Sequence, residues 1–114
     1  MASPAQQGLT MEQFDVIWNE LIASLKPGIK IQHWNPYNGY LGEGLTINAI
    51  DLDSVSIDPP RVWDTQVIPR EDFKRVWEMW TEYLALRLER RKIHTLTDHS
   101  KYIISIFHWY ETEC

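Results

Sequence analysis

The chain has 114 residues, 44% hydrophobic and 24% charged, with six Trp, five Tyr, three Phe and a net charge of −5. That length fits one domain with no need of a disulfide or metal staple, and so much large apolar surface excludes a disordered chain. The negative charge excludes a domain that simply coats nucleic acid, whose surface would be strongly basic.

The charge is uneven along the chain. Residues 1–58 hold two basic and seven acidic side chains, whereas residues 59–114 hold nine of each. The only cysteine, Cys114, can form no intrachain disulfide, which fits a reducing, cytoplasmic setting. No apolar run approaches the roughly 20 residues that cross a bilayer.

Residues 1–8 are small and polar and read as a frayed leader. Thr10 with Gln13 forms a capping box, and Leu9 with Phe14 a hydrophobic staple across it. Phe14, Ile17, Trp18, Leu21, Ile22 and Leu25 then recur at helical spacing until Pro27-Gly28 stops the pattern.

The period next changes to two. Ile29, Ile31 and His33 predict a strand, followed by a Gly- and Asn-rich loop over residues 34–44 that carries Trp34, Tyr37 and Tyr40. Residues 45–50 and 55–57 read as a hairpin around the turn Asp51-Leu52-Asp53-Ser54, and residues 63–68 as a short fourth strand. Pro69, Glu71 and Asp72 open a second helix bearing Phe73, Val76, Trp77, Trp80, Tyr83 and Leu84. Residues 87–97 are polar and basic, a frayed continuation or a connector. Thr97 or Asp98 caps a last helix with apolar residues on more than one face. The expected fold is α+β: an N-terminal helix, an antiparallel sheet of three to four strands and two C-terminal helices.

Catalytic signatures are sparse. Cys114 sits at a terminus with no base held against it, and no Gly-x-Ser-x-Gly occurs. His33, His94, His99 and His108 miss the spacing of helical zinc ligands, and the acids at 51, 53, 58 and 64 run out of oxygen ligands for calcium. No metal or cofactor is expected. Two features point to binding instead. Trp34, Tyr37 and Tyr40 are aromatics on a loop, the residue types that anchor partners. Arg87, Arg90, Arg91, Lys92 and Lys101 form a basic edge beside a helix, which is the makings of a phosphate contact.

The run Ile68-Pro69-Arg70-Glu71-Asp72-Phe73, with Val76-Trp77, Trp80, Tyr83, Arg91, Ser100, Tyr102-Ile103 and Ser105-Ile106, resembles a C-terminal module of small bacterial proteins on mobile elements. These include integron gene cassettes and neighbours of restriction-modification systems. The resemblance spans about residues 68–109 and falls mostly on core-type positions. It implies a shared fold and, by neighbourhood, a nucleic-acid-adjacent role. No activity is assigned to such modules, so no catalytic residue follows from it.

The expectation is therefore a non-catalytic binding or interaction module that pairs with itself or another protein, with isologous packing of a helix face hiding the apolar surplus. A nucleic-acid accessory domain using the basic edge is the first alternative. A small-ligand or enzymatic site near the 34–44 loop is the second.

Overall fold

The computed structural model describes residues 11–113. The leader, Thr10, Leu9 and Cys114 lie outside the described residues, as do the side chains of Met11, Glu12 and Arg90. Chain order is α1 (Met11–Ser24), β1 (Lys30–Asn35), β2 (Gly39–Ile50), β3 (Ser54–Asp58), β4 (Gln66–Pro69), α2 (Arg70–Leu84), α3 (Arg90–His94) and α4 (Ser100–Glu113). The α+β layout is as expected, with one short helix, α3, inside the segment read as a connector.

The four strands form an antiparallel meander in the order β1-β2-β3-β4, so β1 and β4 are its edges. Alternation makes the sheet two-faced. Ile31, Leu45, Ile47, Val55, Ile57 and Ile68 are buried, while Lys30, Gln32, Ala49 and Val67 are exposed on the opposite side. The buried face meets Phe14, Trp18, Leu21 and Leu25 of α1, Phe73, Val76, Trp80 and Tyr83 of α2, and Ile103, Ile104, Ile106 and Phe107 of α4 in one core. Trp18 packs on Phe73 at 5.1 Å between ring centroids and donates its indole N–H to the Leu52 carbonyl at 2.8 Å. The helix stripes seen in the sequence are thus the core-facing stripes, except that Leu84 at the end of α2 is exposed.

Two local corrections matter for function. Residues 34–44 are not a loop: Trp34 and Asn35 close β1 and pair with Tyr40 and Gly39 of β2, around a tight turn. Asn35 builds that turn, its buried side-chain oxygen accepting the backbone N–H groups of Tyr37 and Asn38, both at 2.9 Å. Gly39 then takes φ +74°, a region L side chains avoid. Second, β4 begins at Gln66, which leaves Trp63 in the connection from β3 with 101% exposure.

Candidate functional site

The site grows out of the β1 edge, which α4 closes. The Trp34 backbone N–H donates to the buried Ser105 hydroxyl at 3.0 Å, and that hydroxyl donates in turn to the Lys101 carbonyl at 3.2 Å. A side chain on a helix therefore does what a fifth strand would otherwise do.

Along the same strand the β1–β2 register jumps, with Gln32 opposite Gly44 but His33 opposite Leu41. The extra residues sit in β2, and such a bulge re-aims the side chains beside it. Gly44 makes the close approach possible: a Cβ there would stand 2.0 Å from the Ile31 carbonyl oxygen.

Between β1 and α4 the bulge leaves a cleft of about 270 Å³. Trp34, Leu41 and Ile104 supply its apolar walls, while His33, Asn35, His94, Lys101 and Ser105 supply polar groups. The volume is at the small end for a ligand site. Trp34 is held rigidly, stacked on the His108 ring at 3.7 Å with 8° between planes, and Tyr40 meets the same ring edge-on at 5.5 Å. Lys101 places its ammonium 5.2 Å from the Tyr102 ring centroid, and the His33 ring lies 5.9 Å from that same tyrosine.

Burial holds His33 below the ordinary histidine pKa, the Lys101 charge pushes it the same way, and Glu43 works against both. His108 is likewise lowered by burial, against the pull of Glu113. With its pKa lowered, His33 faces the cleft at neutral pH as an uncharged imidazole able to donate or accept, beside Lys101.

Sequence-derived candidates divide on this geometry. Trp34 and Lys101, assigned to rival hypotheses, line one cleft. Tyr40 braces it through His108. Tyr37 is turned elsewhere, donating its hydroxyl to the Leu88 carbonyl at 2.6 Å and meeting Tyr83 edge-on at 5.9 Å. Arg87 is paired with Glu82 at 3.0 Å, and Arg91 and Lys92 are exposed on α3. Among the described basic side chains only Lys101 reaches the cleft.

His33, Asn35, Leu41, His94, Ile104 and Ser105 are cleft residues that sequence reasoning did not place. The one available signal was His33 in the inward phase of the β1 alternation. Of the residues carrying the family resemblance, Ile68, Phe73, Val76, Trp80, Tyr83, Ile103 and Ile106 are core, and Ser105 lines the cleft.

A roomier depression of about 620 Å³ lies on the outer sheet face. Three of its four charged side chains are already engaged: Arg61 pairs with Glu43 at 3.0 Å, and Asp58 accepts from Thr65 and Asn48 at 2.7 and 3.0 Å. It offers an open groove rather than convergent donors. Among the described residues, no three His, Cys, Asp or Glu side chains gather as a metal site, and no helix is long and apolar enough to cross a membrane. No protein-family model, curated protein or solved structure matches the chain.

Proposed function

We propose that the chain is a non-catalytic binding module whose cleft between β1 and α4 takes a small anion with a flat apolar body, such as an aromatic carboxylate. One observation carries this reading: Lys101 and His33 both line a cleft walled by Trp34, Leu41 and Ile104. Apolar walls with a few convergent polar groups are the usual composition of a ligand pocket. A charge-assisted bond from Lys101 fixes the acid end, and the rigid indole receives the flat body.

The hydroxyls favour binding over nucleophilic chemistry. Ser105 is committed to the Trp34 N–H and the Lys101 carbonyl. Ser100, which meets His94 Nδ1 at 2.6 Å, is only 2% exposed, so a substrate carbonyl has no approach to it.

Calorimetric titration with a panel of small aromatic carboxylates and inorganic phosphate tests this reading. The aromatic acids should bind, Lys101→Ala should weaken them about tenfold, and Lys92→Ala should leave them unchanged. Affinity should rise from pH 8 to pH 6, because an anion beside His33 favours its protonated form. Binding indifferent to Lys101→Ala, or no binding by any acid of the panel, overturns the proposal.

A further inference from the structure

We infer that the β4 edge is a homodimer interface, through which two copies pair antiparallel about a two-fold axis at Val67. The first observation is the phase of the ladder. Arg70 donates its N–H to the Asp53 carbonyl at 2.8 Å, continuing the β3–β4 register in which Ser54 faces Pro69 and Ser56 faces Val67. Alternation then turns the backbone groups of Gln66 and Ile68 toward β3 and those of Val67 outward, together with the Pro69 carbonyl. Among the described residues no turn or loop backbone group bonds to Val67. The opposite edge is treated differently, since the outward N–H of Trp34 is taken by Ser105.

The second observation is what surrounds that edge. Trp63 is 101% exposed, and Val62 and Val67 are 46% and 55% exposed, three large apolar side chains within six residues. Arg61 just before them takes φ +64°, a conformation L side chains rarely adopt. Exposed apolar clusters beside an open strand edge mark interaction surfaces.

The third observation selects a second copy as the occupant. About Val67 the segment is complementary to itself. Val67 meets Val67 with both N–H and C=O exchanged, and Gln66 meets Ile68. Thr65 donates to the carbonyl of Pro69, so the missing proline N–H costs one bond per half. Asp64 then falls opposite Arg70, whose guanidinium it would share with Asp15 at both ends. Arg70 is already fixed for this by Asp15 and by stacking over the Phe14 ring at 4.9 Å. Trp63, three residues before β4 and fully exposed, is the large apolar side chain available to the partner. A strand this short buries less than the standard interface of roughly 1,600 Å², so Trp63 is the anchor and the dimer belongs to the micromolar range.

Sedimentation equilibrium on the full chain from about 1 to about 200 μM tests this. The wild type should pass from monomer to dimer over that range. Trp63→Ala should raise the dissociation constant at least tenfold. Val67→Pro should do the same, since it removes an outward donor and leaves the bonds to β3 in place. Should Val67→Pro disturb the fold, amide exchange at Val67 in the wild type decides instead, with protection that grows with concentration. A monomer throughout, or a dimer that neither variant weakens, overturns the interface. Aromatic-acid binding at the cleft is read out separately and does not depend on it.

Discussion

The two edges of the sheet show how differently the same fold treats an exposed strand. At β1, α4 supplies a hydroxyl to the outward N–H of Trp34 and an imidazole to stack on its ring. At β4, Val67 points its backbone groups outward, and Trp63 beside it meets only solvent. A covered edge with a residual cleft is suited to a small ligand; an open edge with an unburied indole is suited to another chain. Both tryptophans are aromatics near a turn, yet only their tertiary neighbours make one the wall of a cleft and leave the other in solvent.

The contrast is broken most severely by Gly44→Ala. A methyl group 2.0 Å from the Ile31 carbonyl and 2.6 Å from the Gln32 Cα meets backbone, not a mobile side chain. A loss of about 3 kcal/mol in urea unfolding is expected, with loss of ligand binding at the cleft. A fully stable variant would show that the bulge does not need glycine.

The paired substitutions Trp34→Ala and Trp63→Ala test the comparison directly. Removing the stacked indole should cost about 2 kcal/mol, less than a fully buried tryptophan. Removing the exposed one should change monomer stability by no more than about 0.5 kcal/mol. Equal effects in thermal unfolding at low concentration would erase the distinction between the two edges.

Ser105→Ala leaves the Trp34 N–H without its partner in a buried position and should cost roughly 1–2 kcal/mol, visible as faster amide exchange at Trp34. Smaller again is Leu86→Gly. Leu86 holds φ +60° where α2 ends, with its N–H on the Tyr83 carbonyl and that of Arg87 on Glu82, the turn in which glycine is usual. A gain of about 0.5 kcal/mol is expected, leaving both edges as they are; a loss would mean that the Leu86 side chain outweighs the strain.

The finest test is pH. The folded pKa values of His33 and His108 lie below the ordinary value of 6.5. The unfolded chain therefore binds protons that the native state resists. Stability is full above about pH 6.5 and should fall as pH drops through the folded values. His33→Gln and His108→Gln should each flatten that slope, whereas a melting temperature independent of pH between 7.5 and 5.5 would contradict the burial of both rings.

Much of the fold was legible because its signals are local. The stripe Phe14, Trp18, Leu21, Leu25 and the stripe Phe73, Val76, Trp80, Tyr83 carry a 3.6-residue period that needs no partner to be read. The site was legible only in part. Trp34 and Lys101 were both singled out, but as members of different surfaces, because 67 residues separate them and nothing in either neighbourhood refers to the other. The hairpin at residues 34–44 looked like a loop because its glycines and asparagines advertise turns, while its pairing depends on a bulge two residues wide.

Sequence by itself determined which faces are apolar, where the three long helices lie, and that the sheet is antiparallel, since period, caps and turn residues act over a few positions. Tertiary structure alone decided which edge α4 covers, that Ser105 takes the Trp34 amide, that Lys101 and His33 share one cleft, and that Trp63 is left in water. Those outcomes depend on packing between elements far apart in the chain, where burial and hydrogen bonding are settled by which surfaces meet.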